Sequence, residues 1–183
     1  MYGVMFDLLR SYTIDRHGGR AAWDAVLKQA GFGYRMYFPV AEYPDEELVT
    51  LVIALSRAQS QSLQAVLEDY GHYLGPKLLQ HYQMLIQPHW RTFEVLENTG
   101  SRAYPAVQKH NAKCQPPELH AQRLSPDQLT LTYRSERKMC AVAKGIVRGL
   151  ADHFGETIAI RETACLLSGA DHCEFELAHT AAG

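Results

Sequence analysis

No stretch of this chain approaches the ~20 consecutive apolar residues that a membrane-spanning helix needs, so no span is expected. The first residues lack a basic region followed by an apolar stretch and a small-residue cleavage site. No secretory signal is therefore expected, and a bacterial-type cytoplasmic location follows as the default. Charge of one sign is missing as well. Eighteen Lys and Arg stand against 20 Asp and Glu, a net charge of −2. That balance gives no basis for nucleic acid or an anionic membrane as a partner. Cysteine is scarce: Cys114, Cys140, Cys165 and Cys173 are the four present. In a cytosolic chain they serve as metal ligands, redox thiols or core residues rather than as a disulfide framework. There is no internal repeat and no low-complexity tract. There is also no nucleotide-binding glycine loop, no Gly-x-Ser-x-Gly elbow and no His-Glu-x-x-His, so an enzyme is not expected. The nine histidines are scattered. His72, His81 and His89 fall on expected helices with no shared short spacing and read as solvated or satisfied polar groups.

What is present is an ordinary globular composition, 46% hydrophobic and 21% charged over 183 residues. That length suits one domain with a real core. The first two thirds read as helices. Tyr2 to Arg16 places Val4, Met5, Leu8, Leu9 and Tyr12 on one apolar face, and Gly18-Gly19 breaks it. A short helix over 21–30 ends at Gly31. Pro44 stands at a helix N1 position, with Asp45, Glu46 and Glu47 in the first turn, where the helix dipole favours acid. Ser60 or Ser62 caps the next helix, over 63–74. Further helices are expected over 76–86, from Pro88 toward Glu97, and over 102–110, with Gly100 as a break. After Pro116-Pro117 the period changes from 3.6 toward 2. A hairpin of 118–124 and 128–133, an amphipathic helix over 139–154 and strands over 157–161 and 174–177 follow. A helical lobe succeeded by a β-β-α-β-β lobe is an α+β architecture.

The run Tyr133-Arg134-Ser135-Glu136-Arg137 closes the second strand of that hairpin. On an extended strand Tyr133, Ser135 and Arg137 share one face and offer a phenol, a hydroxyl and a guanidinium fork. Those groups suit a carboxylate or phosphate. The alternative is a strand end with a surface arginine. Taken with the opening Met1-Tyr2-Gly3-Val4-Met5-Phe6 and the tail from Cys165 to Cys173, the run resembles the heme–nitric oxide/oxygen binding (H-NOX) family over nearly the whole chain. The resemblance implies one domain, with a distal helical part over 1–60 and a proximal part with an antiparallel sheet over 61–183. It also implies a heme clamped between lobes, its propionates held by Tyr133, Ser135 and Arg137. No output domain is present, so a signal would pass to a separate protein, such as a histidine kinase or a diguanylate cyclase.

In that family a proximal histidine stands 13 residues before the proline that presses on the porphyrin. Counting back from Pro117 lands on Tyr104. Three readings stay open. Tyr104 ligates ferric heme through its phenolate, a ligand that binds nitric oxide poorly in that state and would shift function away from ferrous gas sensing. His110 supplies the nitrogen, although six residues turn a helix by about 600° and carry His110 off the Tyr104 face. Or the pocket holds no heme and Tyr104 is a core aromatic. On the distal side, the tyrosine of oxygen-binding members corresponds to Val142. With Met5 and Ile146 it makes an apolar wall that would favour nitric oxide or carbon monoxide over oxygen, or it is simply core.

Cys140, Cys165 and Cys173 come from three elements that a β-α-β-β unit packs together, and three thiols can converge on one Zn²⁺. A subset of bacterial H-NOX proteins is similar, with a histidine three residues before the first cysteine of the pair. Here that position is Glu162, which can ligate through oxygen; His172 is a second candidate. The alternative is three reduced core thiols. A thiolate-rich site near a surface turn is oxidisable, so redox sensing is a further expectation. Cys114 matches none of these positions and reads as structural or a free thiol. The Cys…Gly…Cys-x-Phe pattern also resembles V4R domains, which keeps a small apolar ligand other than heme open.

Overall fold

The computed structural model describes residues 1–110 and 115–180. The chain forms two compact units, Met1–Tyr70 and Gly71–Gly183.

The N-terminal unit is helical, with α1 (Gly3–His17), α2 (Gly19–Gln29), α3 (Asp45–Gln59) and the start of α4 (Leu63–His81). Phe6, Leu9 and Tyr12 of α1 are fully buried with Leu48, Leu51 and Leu55 of α3, the stripes that their spacing implies. Two phenols in this core pair with carboxylates. Tyr12 Oη donates to Asp69 at 2.6 Å, and Tyr37 Oη donates to Glu47 at 2.7 Å. Arg35 forms an ion pair with the same Glu47. Pro44 is the residue before α3 rather than its first residue, with Asp45, Glu46 and Glu47 in the first turn as expected. Ser62, not Ser60, caps α4: its Oγ accepts from the Ala65 N–H at 3.2 Å. Ser60 instead closes α3 with φ +52°.

In the C-terminal unit α4 runs on through Pro76 to His81, where sequence reading expects a break and a second helix. Packing overrides proline. Pro76 has no N–H for the His72 carbonyl four residues earlier. That carbonyl instead faces α7 (Cys140–Phe154): a Cβ on Gly149 would lie 2.1 Å from it. A Cβ on Gly71 would lie 2.2 Å from the Val142 carbonyl oxygen. Two glycines thus let α4 and α7 touch backbone to backbone, and the freed carbonyl meets Cα–H groups instead of an amide.

A four-stranded antiparallel sheet follows in the order β1-β2-β4-β3. Its strands are β1 (Glu118–Ser125), β2 (Gln128–Arg134), β3 (Ile158–Ala164) and β4 (Cys173–His179). Leu129, Leu131, Tyr133, Cys173, Phe175 and Leu177 fill one face and pack with Val147 and Leu150 of α7. The β-β-α-β-β order is that expected, with β3 and β4 longer than their alternation suggests.

Between the helices and the sheet lies a helical run built of α5 (Thr92–Asn98), a π-helical turn (Thr99–Ala103) and α6 (Tyr104–His110). The helix that Pro88 is expected to start begins only at Thr92, and His89 lies outside it. Gly100 does not break this run. It sits in the π turn, where a Cβ would lie 2.0 Å from the Leu119 carbonyl oxygen of β1. Arg123 of β1 clamps α5, its Nη2 donating to Glu94 at 2.7 Å and to Glu97 at 2.8 Å.

Candidate functional site

The three elements carrying Cys140, Cys165 and Cys173 converge. Cys140 opens α7, Cys173 opens β4, and Cys165 follows the end of β3. Their sulfurs and a Glu162 carboxylate oxygen all lie within 4.8 Å of one another. The Cys140 and Cys165 sulfurs are 3.8 Å apart.

Glu162 joins the group because of a backbone irregularity. Glu162 and Cys165 are an odd number of residues apart and would face opposite sides of a regular strand. The β3–β4 register slips between Glu162 and Ala164: Glu162 pairs with Phe175 and Ala164 with Glu174, leaving Thr163 as an extra residue. That bulge turns Glu162 and Cys165 toward the side that carries Phe175 and Cys173. His172, the other candidate, sits in the bend before β4 and is not one of the four.

Burial raises the Cys140 thiol to about 12, reinforced by the neighbouring Cys173 and Cys165. Burial raises Cys173 too, and the Leu166 N–H, which donates to Cys173 Sγ at 3.2 Å, works against it. Buried thiols in these surroundings are neutral at pH 7 unless a cation draws the protons off. A backbone N–H aimed at a cysteine sulfur supports a ligating thiolate in the way a secondary hydrogen bond does.

The Tyr-x-Ser-x-Arg run departs from the expected geometry. Its three side chains do not share a strand face, because β2 ends at Arg134. Residues 135–138 form a tight turn: the Lys138 N–H donates to the Ser135 carbonyl at 3.1 Å, the Arg137 N–H donates to Ser135 Oγ at 3.2 Å, and Lys138 has φ +51°. The Ser135 hydroxyl supplies the local alternative to strand pairing. Arg137 Nη1 donates to the Gln115 carbonyl at 2.7 Å, which ties this turn to the segment just before Pro117. Tyr133 is 5% exposed and lies opposite Cys173 in the β2–β4 register. Burial raises its phenol, offset in part by Ser135 and the Met139 backbone. One residue thus links this turn and the thiol group. Alternation places Tyr133 on the apolar face, but no sequence signal announces Cys173 as its neighbour.

The remaining candidates are spread over both units. Met5 is in α1, its carbonyl accepting from Tyr70 Oη at 2.6 Å. Val142 is buried in α7, and Pro117 is half-buried ahead of β1. Tyr104 is half-buried at the first position of α6, directly after the π turn. The His110 side chain and Cys114 lie outside the described residues.

The Haem-NO-binding family model matches residues 2–162. The chain belongs to the haem-NO-binding family. An H-NOX protein from S. oneidensis, solved in the Fe(II)NO ligation state, superposes with a TM-score of 0.90 at 24% identity, covering 98% of this chain and 99% of that one. Unliganded Fe(II) H-NOX from K. algicida gives 0.84 at 18% identity, covering 100% and 98%. A mutant H-NOX from T. Tengcongensis gives 0.85 at 18%, covering 98% of each. At these identities the likeness is one of fold. No curated protein matches the chain. Membership of the haem-NO-binding family makes this an H-NOX domain of α+β fold. Among the described residues, no helix is long and apolar enough to cross a membrane.

Proposed function

We propose that this chain is an H-NOX sensory domain that binds heme or a related apolar ligand and senses a small gas such as nitric oxide, with Tyr104 as the ligand of the ferric state. The observation that carries the reading is family membership over residues 2–162 together with the Arg137 turn. The donor chemistry suits heme of one kind. Tyr133, Ser135 and Arg137 are the hydroxyl and guanidinium donors that propionates need, and Tyr104 offers a phenolate, an oxygen ligand that favours ferric iron. When bound, the heme supplies an iron centre open to a small diatomic ligand. Val142 contributes an apolar surface without a donor, which disfavours polarised bound oxygen. The signal passes to a separate protein, such as a histidine kinase or a diguanylate cyclase.

The test is a UV–visible spectrum of protein purified with supplemented heme, ferric and ferrous, before and after nitric oxide. A Soret band that shifts with nitric oxide supports the reading, and Tyr104→Phe must then move or abolish the ferric maximum. An unchanged spectrum in that variant removes Tyr104 as ligand. Absence of any specific band removes heme from the proposal.

A second reading is favoured by the four converging donors. The thiol group is a Cys₃Glu zinc centre that stabilises the C-terminal unit and senses oxidants, with or without heme above it. Metal analysis of protein purified without chelators is expected to give about one zinc per chain, lost on thiol oxidation as thiolate ligation requires. Protein that is metal-free as isolated excludes it.

A further inference from the structure

We propose that the C-terminal unit carries a second small-molecule site, behind the helical run that leads to Tyr104, which takes an aryl- or alkyl-carboxylate of about the size of phenylpropionate.

The site is a cavity of about 250 Å³. Its walls are chiefly apolar: Ile86 and Trp90, with exposed Met84 at the open edge, line it with Val95, Asn98, Thr99, Arg102 and Ala103 of the helical run. A ring fits such walls, since a dry cavity of ~150 Å³ already accepts benzene; the remaining volume leaves room for a short chain and a head group. Ligand cavities of this type combine an apolar body with a few polar groups that fix orientation.

The head group follows from the charges. Arg102 is the one charged residue in the lining, and no carboxylate shares it. Among the described residues Arg102 has no ion pair, whereas Arg123 on the neighbouring strand is committed to Glu94 and Glu97. The other two polar side chains of the helical run are already engaged. Asn98 Nδ2 donates to the Glu94 carbonyl at 2.8 Å, and Thr99 Oγ1 donates to the Val95 carbonyl at 2.7 Å. At the rim of the pocket this leaves the guanidinium fork as the charged group, with Gln87 and Tyr82 as the other polar side chains of the lining. The fork matches the two oxygens of a carboxylate better than a neutral hydroxyl. The site lies wholly within the C-terminal unit and uses none of Tyr104, Tyr133, Ser135 or Arg137, so it does not depend on the heme reading.

Calorimetric titration of the full chain with 3-phenylpropionate and with 3-phenylpropanol tests the proposal. The carboxylate is expected to saturate one site per chain and to bind about tenfold more tightly than the alcohol, the increment of one charge-assisted pair. Arg102→Gln is expected to remove that preference and Arg102→Lys to keep part of it. Arg102 is exposed, so both variants keep their melting temperature. Ala103→Leu fills the cavity and is expected to weaken both probes. Equal affinity for acid and alcohol, an unchanged preference in Arg102→Gln, or no saturable heat with either probe overturns the proposal. So does undiminished binding in Ala103→Leu.

Discussion

The two units of this H-NOX domain solve the problem of buried polarity differently. In Met1–Tyr70 two buried phenols pair with carboxylates, Tyr12 with Asp69 and Tyr37 with Glu47, and the buried hydroxyls of Thr13 and Ser56 donate to backbone carbonyls. In Gly71–Gly183 the buried thiols of Cys140 and Cys173 gather with half-buried Cys165 and the exposed carboxylate of Glu162, beside the phenol of Tyr133. Each of the N-terminal phenols finds its carboxylate within the unit, while His17 Nε2 is buried there without a hydrogen-bond partner among the described residues. The C-terminal group leaves three sulfurs and an oxygen facing one point, an arrangement that a divalent cation completes. Phenol–carboxylate pairs in one unit and converging sulfur and oxygen donors in the other are the difference that the following experiments address.

The largest expected effect comes from the backbone contact of the C-terminal unit. Gly149→Ala sets a Cβ against the His72 carbonyl, and overpacking of that kind costs about 3 kcal/mol. A thermal melt reads it, and a change under about 0.5 kcal/mol would show that the crossing yields freely. Next is the N-terminal unit's buried carboxylate. Glu47→Leu leaves Tyr37 and Arg35 without their acceptor and is expected to cost about 2 kcal/mol in a urea titration, with zinc content unchanged. Loss of zinc in that variant would break the separation between the units.

For the proposed zinc centre, the reciprocal experiment is metal removal. A strong chelator, or Cys173→Ser, is expected to open the C-terminal unit to limited proteolysis after residue 71 while fragments of the N-terminal unit persist. Acidification should release the metal before it unfolds the chain. Burial holds the Cys140 and Cys173 thiols above their ordinary range, so protons compete strongly for them. Cleavage spread evenly over both units would sink this account.

The smallest effect separates the phenols. Burial and the Asp69 hydrogen bond raise Tyr12, and burial and Glu47 raise Tyr37. The folded chain therefore binds these protons more tightly than the unfolded one. Their contribution is complete below about pH 10, the ordinary tyrosine value, and declines as pH rises above it. Tyr12→Phe is expected to cost about 1 kcal/mol at neutral pH and to flatten the alkaline decline. A mutant whose alkaline slope matches the parent's would remove Tyr12 as a source of it.

Much of the architecture was legible in the residues. The apolar stripes of α1 and α3, the change of period after Pro117 and the β-β-α-β-β order follow from spacing, because helix and strand periods depend on local geometry. The four converging donors were legible through resemblance and element packing. Three features were not. Pro76 reads as a helix break, yet α4 passes through it because Gly71 and Gly149 give α7 a backbone contact that no local rule contains. Gly100 reads as another break, yet the chain makes a π turn there against Leu119. The Tyr-x-Ser-x-Arg run reads as a strand, yet the Ser135 hydroxyl bends it after Arg134.

The sequence alone determined which groups are available: a tyrosine where the family has histidine, a glutamate where its zinc-binding members have histidine, three cysteines on three elements, and a valine where a hydrogen-bond donor would favour oxygen. The residues are read from the sequence, and their correspondence to family positions is what the resemblance implies. Only the tertiary structure decided which groups meet. The bulge at Thr163 turned Glu162 toward the sulfurs, the β2–β4 register set Tyr133 beside Cys173, and Arg102 came to rest on an apolar cavity. Each of those depends on pairing between residues distant along the chain, which local periodicity does not encode.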